Sequence, residues 1–142
     1  MVWLKELIQC GHIGTFDVNG ETIAVLGCGV DIVYPRENTK IYNEIARHGL
    51  IISEYIVGTR PEASHFPARN RIISGLSSGI LVVEAKRKSG TMITTDFALE
   101  QGRELYVIPG NINSSNSEGT NNLIKEGAKV VTTIDDILED LF

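Results

Sequence analysis

Phe66-Pro67-Ala68-Arg69-Asn70-Arg71 places an aromatic ring, two guanidiniums and a carboxamide within six residues. Guanidinium forks and amide groups carry donors that must find acceptors, which makes them poor core material. They match phosphate oxygens and the edges of nucleobases. The same residues also suit a solvated helix start. Two other stretches have ligand-binding types. Ser89-Gly90-Thr91 reads as a helix opening after a strand, where free N–H groups and the helix dipole favour a phosphate. Ordinary capping explains those residues equally well. Gly27-Cys28-Gly29 is a lone Gly-x-Gly that suits a close backbone approach or simply a tight turn. Cys28 reads as a small buried residue more readily than as a nucleophile.

The elements that must position these residues follow from hydrophobic period and punctuation. Thr22–Leu26 is a short β-rich run that ends in the glycine turn. Thr39 suits an N-cap for a helix over 40–48, with Gly49 as its stop. Further strands are predicted at 50–54, 80–84, 104–108 and 129–131. Helices are predicted at 68–77, 91–101, 120–126 and 135–142, with Thr133 as a cap for the last. Strands alternating with helices imply a parallel sheet covered on both faces. Ligands of such sheets bind at the carboxyl ends of the strands. The loops at 27–31, 84–90 and 109–111 all follow strands and are expected on that edge, as are the arginines at the predicted start of their helix.

The 142 residues suit one domain, and 42% hydrophobic with 22% charged content is ordinary for a globular protein. No apolar run is long enough to cross a membrane as a helix, and the first ten residues lack the pattern of a signal peptide. Two distant cysteines and three scattered histidines give neither a disulfide framework nor a metal site, and a reducing cytoplasmic location is expected. A net charge of −5 argues against a generally basic nucleic-acid binder. The charge is uneven, however. Residues 60–90 hold Arg60, Arg69, Arg71, Lys86, Arg87 and Lys88 against Glu62 and Glu84, whereas the tail from Ile134 carries four acids and no base.

Longer runs carry a resemblance. TIAVLGCGVDIVYPREN, FPARNRIISGLS, ILVVEA, SGTMITTDFALEQGRELYVIPG and GTNNLIKEGA are similar to motifs of the DNA-processing protein A family, also called DprA or Smf, over about residues 11–142. The resemblance implies an α/β, Rossmann-like parallel sheet with helices on both faces, forming a single domain over 1–142. It implies a protein without catalytic activity or cofactor that binds single-stranded DNA during natural transformation. It also implies protection of that strand, help in loading the RecA recombinase, and a homodimer with no membrane association. Its DNA or phosphate pocket maps onto Phe66, Arg69, Asn70, Arg71, Gly27, Ser89 and Gly90, and its dimer contacts onto Leu123 and Ile124. The alternative is a nucleotide-binding or nucleotide-hydrolysing enzyme of the lysine-decarboxylase-like group. That group's PGGxGTxxE motif is matched here only by Ser89-Gly90-Thr91.

The amino terminus departs from the family. Gly11-His12-Ile13-Gly14 fits the segment around an Ala-His pair, but MVWLKELIQ stands where a glycine-rich SGxARGID loop is expected. The chain is therefore expected to lack the family's first strand and glycine loop, and its accessory domains. One reverse translation of Met1–Gln9, read from its third base, gives Gly-Leu-Ala-Lys-Gly-Ile-Asp-Ser. We hypothesise that these residues are an out-of-frame reading of the missing loop; the gene sequence tests this, and a gene with no shifted frame encoding that loop would refute it. Either an amphipathic helix with Trp3, Leu4, Leu7 and Ile8 or a partner chain is expected to cover the edge left by the missing strand.

Overall fold

The computed structural model describes residues 2–141, with side chains from Gln9 onward. Two compact units divide the chain, one up to Arg69 and one from Asn70. Each is a small parallel α/β arrangement.

The first unit opens with α1 (Val2–Asp17). Strand β1 (Ile23–Leu26) follows, then a 3-10 turn at Arg36–Asn38, α2 (Thr39–His48) and β2 (Leu50–Ser53). The two strands pair in parallel, with Ile23 opposite Leu50 and Leu26 opposite Ser53. Val25, Cys28 and Ile45 are the buried apolar residues. Gly49 does stop α2, its N–H bonding Ile45 O at 2.9 Å, but not through a left-handed conformation. A Cβ there would lie 2.2 Å from Thr22 O, so glycine is needed for the close passage into β2. Thr39 does not act as the expected cap of α2. It is the helix's first residue, and its hydroxyl donates to Arg36 O at 2.6 Å. The expected cover helix rests on Trp3, Leu4, Leu7 and Ile8, whose side chains lie outside the described residues.

Helix α3 (His65–Leu76) spans the boundary between the units. It starts three residues before the predicted start at Ala68, because Pro67 falls within the first turn, where its missing N–H costs nothing. Phe66 is thus helical, and Arg69 to Arg71 lie on the second turn rather than at the helix start.

The second unit continues with β3 (Gly79–Val82), α4 (Gly90–Glu100), β4 (Glu104–Val107), a 3-10 turn at Ser115–Ser117, α5 (Glu118–Lys125), β5 (Lys129–Val130) and α6 (Asp135–Leu141). Its strands run parallel in the order β3-β4-β5. Val82, Ala85, Val107 and Leu123 form the core, with Ile80, Met92, Ile124 and Ala128 packed against it. Of the foreseen strands, Val82 and Val107 are buried, whereas Leu81 at the centre of β3 is 43% exposed. The cap of α6 is made in reverse of the expectation. The Asp136 carboxylate reaches back to accept from the N–H groups of Thr132 at 2.7 Å and Thr133 at 2.9 Å. Those bonds hold its pKa below the usual carboxylate value.

Candidate functional site

The sequence-predicted residues divide between the units, and each group is built differently. In the first unit the loop after β1 is fixed from several directions. Gly29 N–H donates to Thr59 O at 2.9 Å, and Gly58 N–H donates to the Asp31 carboxylate at 2.8 Å. The Ser53 hydroxyl donates to Cys28 O at 2.7 Å, and the Cys28 thiol donates to Ile32 O at 3.3 Å. Tyr42 OH donates to Val30 O. These bonds join the loops that leave the carboxyl ends of two parallel strands, so the loop carrying Gly27 and Tyr34 is held in one conformation.

The start of α3 packs onto this loop. The His65 ring bonds Gly27 O through Nδ1 at 3.0 Å and stacks on Tyr55 with centroids 4.0 Å apart. A Cβ at Gly27 would stand 3.3 Å from two ring atoms of Phe66, so Gly27 makes room for that ring. The Arg69 guanidinium lies over Phe66, 5.6 Å from its centroid, and donates through Nη1 to Val25 O. Its Nε is buried and has no hydrogen-bond partner. Burial lowers the Arg69 pKa, opposed by Cys28 and Tyr55, but a guanidinium remains charged throughout the working pH range. The same burial pushes the Cys28 thiol up, against the pull of Arg69. Cys28 is thus a buried thiol with little thiolate character, the opposite of an activated nucleophile.

In the second unit, Asn70 and Arg71 continue α3. Ser74 Oγ donates to Gln101 Oε1 at 2.7 Å, with the carbonyl oxygens of Asn70 and Arg71 at 3.3 and 3.2 Å as alternative acceptors. Gln101 Nε2 in turn donates to Arg71 O at 3.0 Å. This bracket between buried Ser74 and exposed Gln101 ties α3 to the end of α4 and braces the backbone under Asn70 and Arg71, and the Arg71 residue is exposed.

The start of α4 is the most open of the predicted features. Ser89 is its N-cap but makes no capping bond with its side chain. Ser89 Oγ and Thr91 Oγ1 are both shielded from solvent without a hydrogen-bond partner. A Cβ at Gly90 would meet nothing within 4 Å. The exposed Lys86, Arg87 and Lys88 immediately precede them. Buried hydroxyls are normally satisfied, so these two, at a helix amino terminus behind three cations, are donors suited to an anion. The loop behind them is rigid. Ala85 N–H donates to Asn116 O at 3.0 Å, Gly119 N–H donates to Ala85 O at 2.8 Å, and a Cβ at Gly119 would lie 2.7 Å from Ala85 O. The Asn121 amide brackets Gly110, donating to its carbonyl at 3.1 Å and accepting from its N–H at 3.2 Å.

The two residues expected at a dimer contact differ in burial: Leu123 is 2% exposed and closes the core of its own unit, whereas Ile124 packs against the same cluster and stays partly exposed. Sequence reasoning also passed over Tyr34, treated only as part of a loop. It is 52% exposed, with its ring centroid 5.8 Å from that of Phe66. The available signal was its place in a glycine-rich loop after a buried strand. A cleft of about 850 Å³ lies at the other ends of β1 and β2, beside Phe16, Thr22, Glu44, Arg47 and His48. None of the predicted site residues lines it. Among the described residues no cluster of His, Cys, Asp or Glu could hold a metal ion, and no helix is long and apolar enough to cross a membrane.

Comparison with known proteins agrees with the resemblance read from the motifs. The profile of the family described as DNA recombination-mediator protein A matches residues 9–142. DNA processing protein DprA of Streptococcus pneumoniae is 44% identical over 136 residues, covering 96% of this chain and 48% of the relative. Protein Smf of Escherichia coli is 47% identical over 131 residues, covering 92% of this chain and 35% of the relative. The chain thus spans about half or less of the length of these relatives. The X-ray structure of the Streptococcus pneumoniae protein superposes with a TM-score of 0.86 over 92% of this chain and 46% of that one. A DNA processing protein A of Helicobacter pylori, solved for its single-stranded DNA binding mode, superposes with a TM-score of 0.78 at 36% identity, over 84% of this chain and 55% of its own. Motifs, fold and both comparisons converge: this chain belongs to the DNA recombination-mediator protein A family, the DprA/Smf proteins.

Proposed function

We propose that this chain binds single-stranded DNA as one Rossmann-like domain, by contact rather than catalysis. The observation that carries the reading is the pair of orphaned hydroxyls, Ser89 Oγ and Thr91 Oγ1, at the start of α4 behind Lys86, Arg87 and Lys88. The free N–H groups and dipole of that helix end favour an anion, and the hydroxyls supply the donors a phosphate oxygen needs. The single-stranded DNA binding mode described for the Helicobacter pylori relative supports a polynucleotide as the source of that phosphate. In this reading Ser89 and Gly90 receive a backbone phosphate and Arg71 and Asn70 contact the strand in one unit, while Gly27, Phe66 and Arg69 of the other unit are DNA contacts in their own right.

Family membership supports the finer roles in this reading: action in DNA processing during transformation, protection of the strand, help in loading RecA, pairing with a second copy and a cytoplasmic location. A test of the RecA role is whether the chain shortens the lag of RecA filament formation on single-stranded DNA; an unchanged lag would refute it. For binding itself, anisotropy of a labelled 20-nucleotide oligo-dT is titrated with the folded chain. Saturable binding that weakens with salt is expected, with a log–log slope of about 0.7 per phosphate contacted. A folded chain that leaves the anisotropy unchanged at low salt would overturn the assignment.

A further inference from the structure

We propose that Tyr34 is a base-stacking platform of this chain and that Phe66 is its support; the inference rests on the single-stranded DNA reading above. Phe66 is the aromatic that the sequence motif singles out, yet its ring is already engaged. Gly27 lies against one edge, where a Cβ would stand only 3.3 Å from two ring atoms, and the Arg69 guanidinium lies over the ring, 5.6 Å from its centroid. Tyr34 meets Phe66 at 5.8 Å with the planes tilted by 40°, and half of the residue stays open to solvent. An exposed tyrosine alone would be unremarkable, since its ring and hydroxyl suit a surface. This one stands on a loop fixed by Asp31 to Gly58, by Cys28 to Ile32 and by Tyr42 to Val30. A ring held in advance loses little freedom when a base stacks on it, which is how preorganisation raises affinity. The buried Arg69 charge behind Phe66 adds a positive field at the same place, favourable to the phosphate that accompanies each base.

Stacking of a base on an aromatic side chain is insensitive to base identity and depends on the ring, not on its hydroxyl. Titrations with labelled oligo-dT therefore separate the possibilities. Tyr34→Ala is expected to weaken oligo-dT binding about tenfold or more, while Tyr34→Phe stays within about twofold of the unchanged chain. The salt slope should be the same in all three, because no phosphate contact is lost. On an abasic strand of equal length, Tyr34→Ala and the unchanged chain should bind alike. Free dTMP in large excess should compete poorly; a Tyr34-dependent affinity for dTMP equal to that for the strand would replace the strand by a free nucleotide and overturn the proposal. Tyr34→Ala binding oligo-dT as tightly as the unchanged chain, while Lys86→Ala with Lys88→Ala binds weakly, would sink the platform and leave the DNA reading standing. Failure of the unchanged chain to bind oligo-dT would remove both.

Discussion

The two units meet the same chemical demand in opposite ways. In the first, the cationic group is built into the architecture. Arg69 holds the β1 carbonyl of Val25, lies over Phe66 and is largely withdrawn from water. In the second, two side-chain hydroxyls at the start of α4 take no part in holding the fold. Ser89 and Thr91 leave their hydroxyls unpaired, and the three preceding cations are exposed. A group that supports the fold and a group proposed to bind a ligand leave different marks under mutation. The first should couple stability to binding; the second should separate them.

The largest effect tests the coupled side. Arg69→Met keeps the side-chain length but removes a charged hydrogen bond and a cation over an aromatic ring. A loss of about 2 kcal/mol is expected in urea or thermal unfolding, accompanied by weaker binding. Unchanged stability would show that Arg69 is no part of the architecture and collapse the contrast. On the separable side, Lys86→Ala, Arg87→Ala and Lys88→Ala together should lower the salt slope of oligo-dT binding by about two while stability moves by no more than about 0.5 kcal/mol per site. A slope that does not change would remove these cations from the phosphate path.

The hydroxyls give a smaller but sharper test. Ser89→Ala with Thr91→Val replaces two orphaned donors by apolar groups of similar shape. Stability should hold or rise by up to about 1 kcal/mol, because an unsatisfied buried hydroxyl is a cost, while affinity for oligo-dT falls severalfold. Lost stability would mean that the hydroxyls do have structural partners. The smallest effect is a pH control in the first unit, away from both clusters. His12 is partly buried against the Thr22 hydroxyl at 2.7 Å, and desolvation lowers its pKa below 6.5. The unfolded chain then binds the proton more readily than the folded one, so stability should decline as pH falls from about 6.5 towards the folded pKa and level off below it. His12→Gln should flatten that part of the profile as followed by thermal unfolding. An identical profile in the variant would assign the pH dependence elsewhere.

Most of the fold was legible because it rests on short apolar runs bounded by glycine and proline. Ile23–Leu26, Gly79–Val82 and Glu104–Val107 are strands within a residue or two of expectation, and Val82 and Val107 are core residues as their positions implied. The start of α3 was misplaced because Pro67 reads as a boundary by type, whereas its position in the first turn makes it compatible with a helix already begun. The burial of Leu123 was not legible, since an apolar residue on a short helix suits a surface or a core equally well and only its packing against Val82, Ala85 and Val107 tells them apart. The phosphate-binding types at Ser89 and Gly90 were visible, but their defining property was not. Whether a cap hydroxyl bonds its own helix or stays unpaired depends on side-chain geometry, which no residue type encodes. Tyr34 escaped notice because its meaning comes from Phe66, more than thirty positions away.

The most direct test of phosphate capture at α4 follows the backbone amides of Gly90 and Thr91 by 1H–15N NMR during titration with oligo-dT at low salt. Both resonances should shift saturably along the same isotherm as the anisotropy, and should return towards their free positions as salt is raised. Tight binding of the strand with Gly90 and Thr91 unmoved would contradict the account.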